Sequence, residues 1–159
     1  NSYCQDNEIS WIDWSLLEKN KDLFEFFKFM IDYRKKHPVI RKKLDNAVCG
    51  MEAMHAHDVN AERMEVPQNA KTLAVSFAGY DRKKGKDDLV YVAVNAYWEE
   101  VKITLPNLAN HGAWYLSVDT YGDEKGKYFY QEGEEIRIDR EYVMKPRSIV
   151  VFTGREILR

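Results

Sequence analysis

The hydrophobic pattern along the chain begins with a helical period. In residues 16–36, apolar side chains recur at the three- and four-residue spacing of a helix. Ser15 and Glu18 have the spacing of a capping box, which marks the first turn of a helix, and Asn20 with Asp22 offers a second start. A basic run and then His-Pro close the pattern, as is typical of a helix end. The pattern predicts one long helix near the beginning of the chain.

The predicted helix is apolar on two sides rather than along one stripe. One face comprises Leu23, Phe27, Met30 and Ile31. The other face comprises Phe26, Phe29 and Tyr33. A β domain in this chain can cover one of these faces, so we expect protein outside the chain to cover the other. A single wide core face is the alternative interpretation.

From residue 72 onward, the period changes to the alternation of half-buried strands. The alternating apolar runs are Leu73-Val75-Phe77, Val90-Val92-Val94, Val101-Ile103-Leu105, Trp114-Leu116-Val118, Ile136-Ile138 and Ile149-Val151. Turn residues separate these runs, and their spacing favours an antiparallel β-sandwich over β-α-β units. Residues 46–68, which include Met51, Met54 and Met64, show no clean period and predict a loop with at most one strand.

Composition and charge narrow the possible classes of function. With 159 residues, of which 45% are apolar and 13% aromatic, the chain can bury a core and is not expected to be disordered. The net charge is −2, from 24 basic and 26 acidic side chains spread along the chain, so we expect no nucleic acid and no membrane as partner. Because no apolar run approaches the roughly 20 residues of a membrane helix, we expect a soluble protein.

The cysteines and histidines give no strong sign of a metal site. Cys4 and Cys49 lie far apart without the paired spacing of a zinc site, and we interpret them as reduced thiols of a cytosolic protein. His55, His57 and Asp58 are side chains of the kind that bind zinc. We expect the two histidines to point to opposite faces if the segment is extended, and no further Cys/His cluster lies near them, which favours a structural or solvent-facing role. A cysteine nucleophile would need a positioned histidine base, which nothing in the sequence indicates. We expect no metal and no cofactor.

Aromatic residues form the remaining candidate constellation. They are Tyr97, Trp98, Trp114, Tyr115, Tyr121, Tyr128, Phe129 and Tyr130. Exposed flat rings beside polar groups can stack on the apolar faces of sugars, so a sugar-binding groove is one interpretation. We favour the other, in which Trp114 and about half of the tyrosines fill a sandwich core. Trp98 is the best candidate for an exposed ring.

Residues 1–14, NSYCQDNEISWIDW, form a dense polar and aromatic string that is typical of a loop at a functional site. They resemble the segment after the last barrel strand in bacterial glycogen debranching enzymes of the isoamylase type, in the α-amylase clan, where Tyr-Cys-Gln-Asp-Asn leads into Trp-x-Asp-Trp. Further segments are similar to that family in the same order, namely residues 34–40, 89–106, 114–120 and 147–151. One departure is Met54-His55-Ala56 with Glu65, where relatives often show an aromatic-His-Gly run and then Trp, which argues against a sugar contact there.

The resemblance implies part of an enzyme with a mainly β fold. Residues 1–40 would be the loop and one long helix left over from an (α/β)8 barrel. Residues 45–159 would be an antiparallel β-sandwich, the C-terminal domain of α-amylase-type enzymes. The expected partners are the missing catalytic barrel of the same polypeptide and, through the parent enzyme, an α-glucan.

The family hydrolyses α-1,6 branch linkages in glycogen-type glucans by a retaining mechanism that uses two carboxyl groups. Its nucleophile, general acid and stabilising aspartate lie on barrel strands that would precede this chain, so we expect a non-catalytic part that braces the barrel and shapes its cleft. The predicted substrate-binding residues are Trp98 and those that match the family's loop on the site-bearing face of the barrel, Tyr3, Gln5, Asp6 and Asn7. A stand-alone glucan-binding module and a purely structural interaction domain are the alternatives.

The acidic residues of the first segment do not indicate a catalytic pair. Asp6, Glu8 and Asp13 lie close together, but their spacing equally suits the start of a helix. There, Asp6 or Asn7 would cap free backbone amides and Glu8 would meet the positive helix end. We favour this structural role for the three carboxylates.

Overall fold

The computed structural model describes residues 3–63, 65–109 and 112–155. Asn1 and Ser2 of the predicted loop, and Met64 of the weakly patterned segment, lie outside the described residues. The chain divides into two compact units, which we name the N-terminal unit (Asn1–Tyr33) and the β unit (Arg34–Arg159). The division into domains at residues 40 and 45 stays a prediction about the parent protein.

The predicted long helix is interrupted at Asn20. Helix α1 spans Leu16–Lys19 and helix α2 spans Lys21–Lys36. Asn20 has φ −114° and ψ 34°, and both its backbone N and its Nδ2 donate to the carbonyl of Leu16, at 3.0 and 3.1 Å. An asparagine can offer the backbone such a competing hydrogen bond, which explains the break. The second predicted start, at Asn20, is therefore the one at which the main helix begins.

The predicted capping box at Ser15 was wrong. The Ser15 side chain makes no cap hydrogen bond to α1, and Ser15 itself has helical backbone angles. Its hydroxyl donates instead to Asp13 Oδ1 at 2.5 Å, and its backbone N donates to the same oxygen at 2.9 Å. An N-cap residue has extended backbone angles, from which its side-chain oxygen accepts a hydrogen bond from a free N–H of the first turn. Ser15 has helical angles, so it lacks the geometry of a cap.

The two apolar faces of α2 differ in exposure. Leu23, Phe27 and Ile31 of the first predicted face are exposed. Phe29 and Tyr33 of the second face are buried, with ring centroids 5.9 Å apart. The helix therefore presents an apolar face to solvent along with its buried face, which disfavours the single wide core face.

The β unit is an antiparallel sandwich of two sheets, as predicted. Its strands are β1 (Met54–His57), β2 (Thr72–Asp81), β3 (Lys86–Asn95), β4 (Val101–Thr104), β5 (Ala113–Asp119), β6 (Ile136–Ile138), β7 (Glu141–Met144) and β8 (Ser148–Arg155). The large sheet has the order β1-β2-β3-β8-β5-β6, and β4 and β7 form the second sheet. All six predicted strands are present; β7 was not predicted, and β1 is the one strand allowed within residues 46–68. The fold is thus mainly β.

The core lies between the two sheets. The large sheet contributes Leu89, Tyr91, Trp114 and Phe152, and the small sheet contributes Ile103 and Met144. Tyr142 of β7 meets Phe152 of β8 edge to face, with ring centroids 5.3 Å apart. The two sheets thus enclose a shared core of aliphatic and aromatic side chains, and the burial of these side chains stabilises the sandwich.

The large sheet is apolar on both of its faces. On the core side of β2 lie Ala74 and Ala78, whereas the predicted run Leu73-Val75-Phe77 lies on the opposite face, with Leu73 exposed. A β-bulge between Leu116 and Val118 places Val118 opposite Val151, so the predicted run on β5 also changes face. Strands that are apolar on both faces are typical of a sheet that is covered on both sides.

A short 3₁₀ helix, Pro38–Ile40, is fastened to β3 by one buried carboxylate. Asp88 Oδ1 lies 2.6 Å from His37 Nδ1, and Asp88 Oδ2 accepts a hydrogen bond from the backbone N of Val39 at 3.0 Å. Both oxygens of Asp88 are thereby used, which is the condition under which a buried carboxylate is tolerated.

Among the described helices, none has the length and apolar character required to cross a membrane.

Candidate functional site

The predicted residues of the N-terminal loop lie at the surface. Tyr3 is 88% exposed, Gln5 and Asp6 are exposed, and Asn7 is half-buried. The carbonyl of Asn7 accepts hydrogen bonds from the backbone N of Ser10 and Trp11, at 3.0 and 3.1 Å, which forms one helical turn. Asn7 Oδ1 caps this turn by accepting from Ile9 N at 3.1 Å. Asp6 instead accepts from the indole Nε1 of Trp11 at 2.7 Å.

The loop has an uncommon backbone at its beginning. Tyr3 and Cys4 both have φ 55°, in the left-handed region that residues with a side chain rarely adopt. Each such residue costs about 1 kcal/mol or more, and such conformations cluster at functional sites. The backbone therefore supports a functional role for this loop.

The third acidic residue of the segment is not placed as a general acid. Hydrogen bonds from the side chain and the backbone of Ser15 lower the pKa of Asp13. A general acid in glycoside hydrolysis needs a raised pKa, so that its proton is present at neutral pH. Asp13 organises the approach to α1 instead.

Trp98 lies on the loop after β3, and the prediction that its ring is exposed is confirmed. Trp98 does not itself line the nearby surface cleft, but its neighbours Tyr97 and Lys71 do. The Trp98 side chain is 63% exposed. Its ring centroid lies 4.2 Å from that of Tyr97, and Lys71 Nζ lies 3.7 Å from the centroid of the Tyr97 ring. The cleft has a volume of ≈ 220 Å³, and its polar lining includes Asp58, Asn69 and Lys71.

Asn95, at the end of β3, holds this loop in place. Its Nδ2 donates to the carbonyls of Glu99 and Lys145, at 2.9 and 3.0 Å, and its Oδ1 accepts from the backbone N of Tyr97 at 3.0 Å. Arg147, at φ 51°, donates its backbone N to the carbonyl of Tyr97 at 3.0 Å. Asn95 is buried, and each of these hydrogen bonds has a backbone atom of the surrounding segments as a partner. The loop is therefore a rigid support for the Trp98 ring.

Most of the other aromatic residues serve the fold. Trp114 is buried, and its Nε1 donates to the carbonyl of Pro106 at 2.7 Å, as was favoured from the sequence. Tyr130 is buried as well, and Tyr128 and Phe129 are half-buried. Tyr121 is 60% exposed but does not line the cleft.

His55 and His57 lie on the same face of β1, because alternate residues of a strand share a face. Their ring centroids are 5.9 Å apart, and the His57 ring also lies 5.3 Å from that of Tyr91. His57 Nδ1 donates to the carbonyl of Asp58 at 2.7 Å, while its Nε2 and the Tyr91 hydroxyl are buried without a partner in the described chain. Burial lowers the pKa of His57, which favours the neutral ring. The expectation that the two histidines would point to opposite faces was wrong, because residues two apart in a strand share a face.

Neither histidine belongs to a metal cluster. Within the described part of the chain, no group of three or more His, Cys, Asp or Glu side chains is arranged to hold a metal ion. Cys4 is exposed and Cys49 is half-buried, and neither forms a disulfide bond among the described residues. The backbone N of Cys49 donates to Asp87 Oδ2 at 2.8 Å, which ties the segment before β1 to β3. The chemistry that this arrangement offers is recognition by rings and hydrogen bonds.

Comparison with known proteins shows a consistent relationship. The chain is 51% identical over 43 residues to the glycogen operon protein GlgX homolog of Mycobacterium tuberculosis, a stretch that is 27% of this chain and 6% of that protein. It is 29% identical over 121 residues to the chloroplastic isoamylase 3 of Oryza sativa, covering 76% of this chain and 14% of that protein. It is 24% identical over 120 residues to an isoamylase of Pseudomonas amyloderamosa, covering 76% of this chain and 15% of that protein.

The chain thus spans only a small share of the length of these relatives. Residues 48–153, which are more than half of the chain, match the family described as "Isoamylase, C-terminal". The matched range contains all of β1 to β7 and most of β8. The chain belongs to the isoamylase C-terminal family.

Proposed function

We propose that this chain is the C-terminal part of a cytoplasmic glycogen debranching hydrolase that cleaves α-1,6 branch linkages. In this proposal the chain supplies no catalytic carboxylate. It braces the catalytic barrel of the same polypeptide and contributes a loop to the substrate cleft. Membership of the isoamylase C-terminal family supports the proposal, as do the relatives, a glycogen operon protein and an isoamylase.

The apolar surface of the N-terminal unit carries the proposal for the barrel as partner. Its exposed large apolar side chains are Tyr3, Ile9, Trp11, Ile12, Trp14, Leu16, Leu17, Leu23, Phe24, Phe27 and Ile31. Exposed apolar side chains scattered singly are ordinary, but a concentration of them marks a surface that binds another protein. A barrel that ends in this segment would supply that cover without a separate polypeptide.

The N-terminal loop is the part that we assign to the substrate cleft. Tyr3 and Gln5 project from a segment whose backbone is held in the left-handed region, and Asp6 and Asn7 fix the following turn. In this assignment Tyr3 and Gln5 contact the glucan, while Asp6 and Asn7 position them. Loops on a rigid barrel commonly carry binding residues in this way.

The experiment uses the complete protein whose coding sequence contains this chain. Replacing Phe27 and Ile31 together by Glu would bury two carboxylates in the proposed interface, and an unpaired buried charge costs several kcal/mol. We expect at least about tenfold less release of reducing ends from a branched glucan, since about 1.4 kcal/mol already corresponds to tenfold. The control replaces Tyr121 and Val143, exposed residues of the β unit, by Glu and should retain the wild-type rate.

Two further measurements complete this test. Phe27 and Ile31 are exposed in the 159-residue chain alone. There, each of the two substitutions should change the free energy of unfolding by no more than about 0.5 kcal/mol. Equal activity of the two double variants would contradict the barrel as partner. Release of reducing ends by the 159-residue chain alone would contradict its non-catalytic role.

A further inference from the structure

The exposure of Trp98 is unusual because the loop that carries it is rigid. A tryptophan that could turn inward would bury up to about 250 Å² of largely apolar surface. The side chain nevertheless remains 63% exposed, while Asn95 and Arg147 fix the backbone on both sides of Tyr97. A ring that is already held outward on a fixed support loses little conformational entropy when a ligand binds. This favours a role in ligand binding over chance exposure.

Neighbouring side chains organise the ring further. Lys71 Nζ lies over the Tyr97 ring at 3.7 Å and also 5.3 Å from the centroid of the Trp98 ring. The backbone N of Ala96 donates to the carbonyl of Lys71 at 2.9 Å, so the segment before β2 and the loop after β3 are joined. Tyr97 and Trp98 therefore form one platform, in which Tyr97 supports Trp98 from one side.

The polar groups of the cleft restrict the chemistry of a ligand. Lys71 and Asp58 bring one charge of each sign, and Asn69 adds an amide that can donate and accept. The Thr72 hydroxyl donates to Asp58 Oδ1, which orients that carboxylate at the wall of the cleft. A phosphate or nucleic acid would select a surplus of positive charge, which this lining does not have. A neutral ligand with apolar faces and a rim of hydroxyl groups fits a ring platform bordered by such groups.

From this arrangement we propose that the Trp98 platform and the adjoining cleft bind a linear α-1,4-linked glucan segment. The choice of α-glucan rests on the proposed function, and the ring platform with its neutral polar rim is the independent structural ground. The site would hold a glucan chain on the β unit, apart from the chemistry that the barrel performs. Trp98 would stack on a glucose ring, and Asp58, Asn69 and Lys71 would bind hydroxyl groups.

The test is calorimetric titration of the 159-residue chain with maltoheptaose. We expect Trp98→Ala to weaken binding by about tenfold, and Trp98→Phe to retain part of the affinity because a smaller ring remains. Tyr121→Ala is the matched control. Tyr121 is 60% exposed in the same unit, but only Trp98 packs on Tyr97, a ring that lines the cleft. Thermal unfolding of each variant should match the wild type, because both rings are mostly exposed.

The outcomes separate this proposal from the proposed function. Equal affinity of the Trp98→Ala and Tyr121→Ala variants, or no saturable heat with the wild type at millimolar maltoheptaose, would overturn the glucan site. Equal binding of cellohexaose, a β-1,4-linked chain, would overturn the assignment to α-glucans. Each of these results leaves the comparison of the Glu double variants in the complete protein unchanged. Increasing the salt concentration should leave the affinity unchanged for a neutral sugar, and a strong salt dependence would contradict the proposal.

Discussion

The N-terminal unit exposes both of its tryptophans, whereas the β unit exposes Trp98 and buries Trp114. In the N-terminal unit, Trp11 is 64% exposed and Trp14 is 70% exposed, whereas Trp114 of the β unit is 1% exposed. The β unit encloses Tyr91, Trp114 and Phe152 in its core, while the N-terminal unit leaves many of its apolar side chains in contact with solvent. The β unit thus has a core among the described residues, whereas the exposed rings of the N-terminal unit are the feature on which we base the proposed barrel partner.

Hydrogen bonding shows the same contrast. Trp11 bonds to Asp6, five residues away, and Ser15 bonds to Asp13, two residues away. In the β unit, Asp88 reaches His37 across 51 residues. Short-range bonds form as soon as a few residues adopt the right turn, whereas long-range bonds exist only once a fold is complete. The conformation of the N-terminal unit is therefore determined more locally than that of the β unit.

The largest expected effect comes from making one substitution in both units. Trp114→Ala removes a buried ring from the core and leaves a cavity, so we expect it to lower the free energy of unfolding by about 3–5 kcal/mol. Trp11→Ala removes a mostly exposed ring and should change that energy by no more than about 0.5 kcal/mol. Urea unfolding of the 159-residue chain measures both.

Trp114→Phe is the milder variant to measure if Trp114→Ala does not fold. Because it keeps an aromatic ring, it should lower the free energy of unfolding by less than the alanine variant does. If Trp11→Ala destabilised the chain as much as Trp114→Ala does, the N-terminal unit would have a core of its own. The contrast between the units would then be wrong.

A smaller effect is expected from the buried histidine of the β unit. Burial lowers the pKa of His57, so the folded state binds a proton less readily than the unfolded state, whose histidine titrates near pH 6.5. The resulting stability is fully present above about pH 6.5 and is lost as the pH falls toward the lower pKa of the folded state. The slope cannot exceed about 1.4 kcal/mol per pH unit for one proton. We expect His57→Phe to remove this component of the slope, measured by urea unfolding between about pH 7.5 and 5.5.

Tyr91→Phe is the control for this measurement. It removes the neighbouring buried hydroxyl, which has no partner in the described residues and whose pKa is raised by burial, so it does not titrate in this range. The Tyr91→Phe variant should keep the wild-type pH slope. A wild-type slope in the His57→Phe variant would show that the buried ring is not the source of the pH dependence.

The sequence predicted the β unit well where a local pattern was sufficient. Alternation identified six strands, and residues with turn chemistry separated them, because both signals come from neighbouring positions. Alternation did not identify β7, a strand of only four residues. Its inward side chains Tyr142 and Met144 pack in the core only when β4 pairs with β7. Alternation also could not indicate which face of β2 meets the core. The larger Leu73 lies on the outer face, and the small Ala74 and Ala78 lie on the core face.

The candidate site was predictable only in part, for the same reason. The position of Trp98 after a strand indicated an exposed ring, and the structure confirmed that exposure. The cleft depends on Lys71 and Asn69, which precede β2, and on Asp58, which follows β1. These residues meet through the pairing of β1, β2 and β3, which no local pattern encodes.

The smallest effect is expected at the break between α1 and α2. Asn20→Ala removes the Nδ2 bond to Leu16 and introduces the residue with the highest helix propensity, a gain of up to about 0.7 kcal/mol. We expect the two helices to join, with a small increase in helical circular dichroism at 222 nm. Ser15→Ala is the control. Because Ser15 makes no cap hydrogen bond, its replacement should lower the free energy of unfolding by less than the roughly 1 kcal/mol that the loss of a true cap costs. An unchanged helical signal in the Asn20→Ala variant would mean that contacts beyond the local sequence hold the break, and the N-terminal unit would then resemble the β unit in the range of interactions that shape it.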